Sequence, residues 1–115
     1  MEAEMNENIS LENSFKKVLR RHGYYYVKTG IDSHMFIKHD DRIGGIYFEL
    51  EDNAKMRIER ADVVQTFDNR KTLNSFLNNI ERELSYLNPE LARTLSRVQI
   101  KKMIEKVSNE NDPTQ

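Results

Sequence analysis

The pattern that most constrains this chain lies in its middle. Four short segments, 24–29, 34–39, 46–50 and 54–60, alternate their side chains with a period of two. That is the repeat of a β-strand, whose successive side chains point to opposite faces. Turn-forming residues separate them: Gly30 to Ser33, Asp40 to Arg42 and Glu51 to Asn53. Strands this short with connections this tight predict an antiparallel meander. Residues 63–67 either extend the fourth strand or make a short fifth. Gly44 and Gly45, at the entry of the third strand, mark a bulge or a close backbone approach.

Helical periodicity flanks the meander. Leu11, Phe15, Val18 and Leu19 recur at helical spacing after Ser10, a good cap, and Gly23 stops the segment. Leu73, Phe76, Leu77, Ile80, Leu84 and Leu87 form one apolar stripe of a longer helix. Asn88 and Pro89 then restart the chain, proline suiting a first helical position where its missing N–H costs nothing. Beyond them Leu91, Leu95 and Val98 make one stripe, and Ile100, Met103, Ile104 and Val107 a second, rotated one. Ser96 and Gln99 have capping-box spacing, so 89–107 is one helix with a shifted face or two with a corner at Ser96.

The expected fold is therefore α+β: an N-terminal helix, a four-stranded antiparallel meander, and two to three C-terminal helices packed on one sheet face. At 115 residues the chain suits one domain. The expected division is a flexible acidic arm over 1–9, a single domain over 10–107 and a disordered tail over 108–115.

Strand alternation sorts the side chains into two sets. The expected core face carries Tyr25, Val27, Met35, Ile37, Ile46, Phe48, Leu50, Met56 and Ile58. The opposite face carries Tyr24, Tyr26, Lys28, His34, Phe36, Lys38, Tyr47, Glu49, Lys55 and Arg57. Aromatics interleaved with cations suit a binding surface. Tyrosine and arginine are favoured anchors of protein interfaces, and stacked rings beside cations also hold unpaired bases. The bland alternative is that a helix lies across this face as a second core layer. A bulge at the paired glycines would exchange the two faces.

Charge narrows the partners. The net charge of −1 argues against bulk attraction to duplex DNA. Its distribution is uneven: Glu2, Glu4, Glu7 and Glu12 precede a basic ridge of Lys16, Lys17, Arg20 and Arg21 on the first helix. That ridge is a solvated helix face, a phosphate-binding row or a docking surface for an acidic partner. No cysteine is present, which removes disulfides, thiolate catalysis and cysteine metal sites. His34 and His39 are an odd number apart, so a strand points them to opposite faces and they cannot share a metal. No metal and no cofactor are expected. No apolar run approaches the ~18 residues of a membrane span, and the acidic N-terminus lacks a secretory pattern. The default expectation is a cytoplasmic protein that does not associate with membranes.

The stretch from Lys17 to Tyr24, with Val27 to Gly30 and Ser33 to His39, resembles HicA-type mRNA interferases. In those toxins a helix ends in a glycine-aromatic pair and a strand opens with a Gly-Ser-His motif whose histidine acts in RNA cleavage. Asp32 stands here where the motif has glycine. The resemblance implies a catalytic role for His34.

The function these features predict is that of a small non-enzymatic binding or regulatory protein of inhibitor or adaptor type, such as phages also encode. It would recognise a partner protein, or a second copy of itself, through Tyr24, Tyr26, Lys28, Phe36, Lys38, Tyr47, Lys55 and Arg57. One alternative is a single-stranded nucleic-acid or RNA-binding module using the same face. The other is a HicA-like RNase with His34.

Overall fold

The computed structural model describes residues 2–31 and 34–110, with side chains from Glu12 to Asn109. The elements are α1 (Glu2–Arg21), β1 (Tyr25–Lys28), β2 (His34–Asp40), β3 (Gly44–Leu50), β4 (Ala54–Ile58), β5 (Val63–Phe67), α2 (Arg70–Ser85), α3 (Pro89–Ala92) and α4 (Arg97–Glu110). The class is α+β, with one antiparallel sheet whose strands lie in chain order, β1-β2-β3-β4-β5.

Three boundaries differ from the expected fold. Residues 63–67 make a separate fifth strand, reached through a turn at 59–62 and paired with β4 from Ile58↔Val63 to Ala54↔Phe67. Helix α1 starts at Glu2, so most of the expected arm is helical and Ser10 lies inside the helix instead of capping it. Of the expected tail, 108–110 continue α4, and 111–115 lie outside the described residues.

Local chemistry accounts for the helix ends. Gly23 takes φ +90°, and the paired bonds Tyr24 N–H to Leu19 O (2.9 Å) and Gly23 N–H to Arg20 O (3.1 Å) close α1 in a Schellman turn. That turn delivers Tyr24 into the core beside Leu19, both buried. Asn69 caps α2, its Oδ1 accepting from Thr72 N–H at 2.8 Å. The region after Asn88 is two helices. Ser96 Oγ accepts from Gln99 N–H at 3.1 Å while Gln99 Oε1 accepts from Ser96 N–H at 2.8 Å, and this capping box starts α4.

The core lies between the sheet and a layer of helices on one face. Leu73, Phe76, Leu77, Ile80 and Leu84 of α2 are buried at its centre, with Phe15, Val18 and Leu19 of α1 and Ile100, Ile104 and Val107 of α4. A row of rings crosses it: Tyr24 to Phe48 at 5.3 Å, Phe48 to Phe67 at 6.3 Å and Phe67 to Phe76 at 5.0 Å between centroids. The shortest extent of the molecule is 22 Å, which is what one sheet and one helix layer occupy at ~10 Å per layer.

Two arginines tie the helix ends to the sheet. Arg42 holds Asp40 through Nε (3.0 Å) and Nη2 (2.8 Å), and its Nη1 donates to Leu84 O at the end of α2 (2.7 Å). Arg60 donates from Nη1 to Arg42 O (2.7 Å) and from Nη2 to Leu95 O (2.9 Å) and Arg93 O (3.2 Å). Carbonyls at the ends of α2 and α3 and in the β2–β3 turn thus gain charge-assisted partners. Burial works against the charge on Asp40, but the hydrogen bonds from Arg42 prevail and hold its carboxyl below the usual carboxylate range.

The strand phase corrects the sequence reading in β1 and β2. Cross-strand partners share a face, and Phe36↔Phe48 and Phe48↔Met56 put Phe36 on the helix side. With it go Tyr24, Tyr26, Lys28, His34 and Lys38. Tyr25, Val27, Met35 and Ile37, expected in the core, occupy the other face. β3 and β4 are phased as expected. The physical reason is that both alternating sets of β1 and β2 contain large apolar side chains, so period alone does not choose between them. Their pairing to β3, which has one apolar set, does.

Candidate functional site

Among the described residues no helix packs on the outer sheet face. Its central row runs Tyr25, Ile37, Tyr47, Arg57, Val64 across all five strands. The neighbouring row begins Val27, Met35 and ends Glu49, Lys55, Thr66. Tyr25 is 57 % and Val64 59 % exposed, while Val27, Met35, Ile37 and Tyr47 are half-buried. Sheets that meet water on one side normally alternate apolar-in and polar-out. Here the wet side is apolar over β1 and β2 and becomes charged toward β4.

A concavity of about 680 Å³ lies on this face beside the β4–β5 turn, lined by Met35, Tyr47, Lys55, Arg57, Asp62 and Val64 among others. Gly45 shapes it. A Cβ there would stand 2.5 Å from the Tyr47 hydroxyl oxygen and 2.8 Å from its ring, so the ring lies across the glycine. Gly45 N–H also donates to Glu59 Oε2 at 2.8 Å. The glycine pair is thus a close approach, with Gly44 at φ +83° leading into β3.

The expected binding residues do not stay together. Tyr47, Lys55 and Arg57 are on the open face. Tyr24 and Phe36 are core residues, 5 % and 0 % exposed, and burial pushes the Tyr24 hydroxyl well above its usual pKa, with the charges of Glu81 and Asp40 adding to the effect. Lys38 is spent on structure, its Nζ donating to His22 O at 2.8 Å and lying 5.7 Å from the Tyr24 ring centroid. Tyr26 and Lys28 sit on the helix side but at the β1 edge, where both are exposed. The phase reversal that buried Phe36 also removed the stacking platform the sequence suggested.

His34 lies beside Tyr26, with ring centroids 5.3 Å apart, and its buried Nε2 has no hydrogen-bond partner among the described residues. His22 is bonded through Nδ1 to Glu81 Oε2 at 2.7 Å and through Nε2 to Asn74 Oδ1 at 2.9 Å, joining α1 to α2. His39 is exposed near Asp41 at 3.8 Å. Among the described residues no group of three or more His, Cys, Asp or Glu side chains is placed to hold a metal, and no helix is long and apolar enough to cross a membrane.

The basic ridge divides as well. Lys16 pairs with Glu12 at 3.5 Å, and Arg20 lies 5.7 Å over the Phe36 ring. Lys17 and Arg21 face α2 instead, where Arg70 and Lys71 join them around a cleft of about 500 Å³. The sequence reading missed Tyr25, Val27, Met35, Ile37 and Val64 as surface residues, though all but Val64 stood in its alternating set. It missed Arg70 and Lys71 because the ridge was read on one helix, and only the packing of α1 on α2 brings the two pairs together.

Comparison of the chain with family models, curated proteins and solved structures gives no match.

Proposed function

We propose that this is a small non-enzymatic binding protein whose site is the open face of the sheet and whose ligand is another protein. One observation carries the reading: the uncovered face holds a contiguous apolar group, Tyr25, Val27, Met35, Ile37 and Tyr47, that meets cations at Lys55 and Arg57. An apolar patch with a charged rim is the anatomy of a protein interface. Lys55 and Arg57 form no ion pair with a described residue. The partner's docking surface therefore presents apolar side chains with carboxylates beside them. Single-stranded nucleic acid is the weaker reading, because Glu49, Glu59 and Asp62 stand on or beside the same face.

A second feature favours a copy of this chain as an additional partner. β5 is an edge strand, and Val63, Val64, Gln65, Thr66 and Phe67 include neither charge nor proline. Natural edge strands are usually guarded by such residues, since unpaired backbone groups template further pairing.

One experiment tests both. Wild-type protein, Tyr47→Ala/Arg57→Glu and Thr66→Lys are compared by affinity capture with mass spectrometry and by sedimentation equilibrium. A captured protein lost with Tyr47→Ala/Arg57→Glu supports the face. A concentration-dependent dimer lost with Thr66→Lys supports the edge. Capture indifferent to the face substitutions, or no capture at all, overturns the first reading, and a monomer at every concentration overturns the second.

A further inference from the structure

The cleft between α1 and α2 lies in the helix layer, away from the open sheet face. Lys17 and Arg21 line one side and Arg70 and Lys71 the other, with Ser14 and Asn74 as polar lining and Val18 below. All four cations are exposed at their ends, and none forms an ion pair with a described residue. Nearby cations behave differently: Lys16 meets Glu12, Lys38 approaches Glu81 at 4.0 Å, and Arg42 meets Asp40. Among the described residues no acidic side chain lines the cleft, and none stands in the first turn of α2, where acids are favoured.

Packing two helices so that like charges face each other opposes their association. The arrangement is balanced if the cleft takes up anionic charge. Asn74 adds direction, because its Oδ1 is engaged by His22 Nε2 at 2.9 Å and its amide nitrogen remains free to donate. Two arginine forks, two lysine ammoniums and an amide N–H make a set of donors without acceptors. That set suits phosphate oxygens, which only accept. Four cations also exceed what one phosphate neutralises.

We propose that this cleft binds a ligand carrying adjacent phosphates, a di- or triphosphate group of the kind nucleotides bear. Lys17 and Arg21 hold one side of the group, Arg70 and Lys71 the other, and Asn74 donates to an oxygen at its inner end. The site is independent of the sheet face, so either can fail without the other.

The test is an amide NMR titration of the full chain at 150 mM salt, a level that screens exposed charges beyond about 8 Å. Inorganic pyrophosphate, inorganic sulfate, adenosine triphosphate and a short single-stranded RNA are the probes. The expected result is saturable one-to-one binding of pyrophosphate and adenosine triphosphate, with shifts confined to the neighbourhoods of Lys17, Arg21 and Arg70 to Asn74. Sulfate should bind at least about tenfold more weakly, since it fills half the donor set. Arg70→Gln/Lys71→Gln should weaken pyrophosphate by about tenfold or more while the remaining spectrum stays native. Lys101→Gln/Lys102→Gln, at exposed positions of α4, should leave it unchanged. Equal response to sulfate and pyrophosphate, shifts extending to Lys101 and Lys102, or shifts with RNA but not with pyrophosphate would each overturn the proposal.

Discussion

The two faces of the sheet are built from similar side chains and behave differently. On the inner face the row Phe36, Phe48, Met56 is closed by helices, and each of the three is at most 1 % exposed. One position along, the row Tyr25, Ile37, Tyr47, Arg57, Val64 is also largely apolar but meets water. Hydrophobic free energy depends on area removed from water, so a side chain stabilises the fold only if something covers it. The inner row is stability already realised. The outer row leaves that kind of energy unrealised within the chain.

That contrast can be broken most directly at adjacent positions of β3. Phe48→Ala should cost about 3–5 kcal/mol by denaturant unfolding, since a closed core cannot collapse around the void. Tyr47→Ala, beside it but facing out, should cost within about 1 kcal/mol. Equal losses would mean that the outer face is covered in solution.

A smaller effect sharpens the role of the arginine ties on the inner side. Arg42→Ala leaves the Asp40 carboxylate and Leu84 O without their side-chain partner and should cost about 1–3 kcal/mol at neutral pH. The Asp40 pKa is lowered in the folded state, so its contribution is present above the ordinary aspartate value and lost as pH falls through the folded one. The gap between wild type and Arg42→Ala should therefore narrow as the pH drops from 7 toward about 3. A gap that holds constant would show that Asp40 is not the group involved.

The smallest effect is expected at Gly45. An added methyl meets mainly the far end of the Tyr47 ring, which can swing away over the open face. Gly45→Ala should change stability by less than about 1 kcal/mol yet move the Tyr47 ring resonances. A loss as large as that of Phe48→Ala would mean that the ring is locked in place.

Much of the fold was legible because local signals agreed with one another. The α2 stripe, the Gly23 stop, the Asn88 and Pro89 restart and the Ser96 with Gln99 box all appear where their spacing placed them. Each depends on residues within a turn or two of sequence. The binding set was only partly legible. Tyr47, Lys55 and Arg57 were placed on the open face because β3 and β4 have one apolar set each. Tyr24 and Phe36 were misplaced because their strands have two. The Arg42 and Arg60 ties left no trace in the pattern, since an arginine in a turn resembles any exposed cation until its carbonyl partners are brought beside it.

By itself, then, the sequence determined the α+β class, the antiparallel meander and the helices that follow it, because periodicity and capping act through near neighbours. Tertiary structure alone decided which face of β1 and β2 is covered, that α1, α2 and α4 share one side, and that Lys17 and Arg21 face Arg70 and Lys71. Those outcomes depend on cross-strand register and helix packing between residues distant in the chain, and no local pattern encodes which of two apolar faces a neighbour will cover.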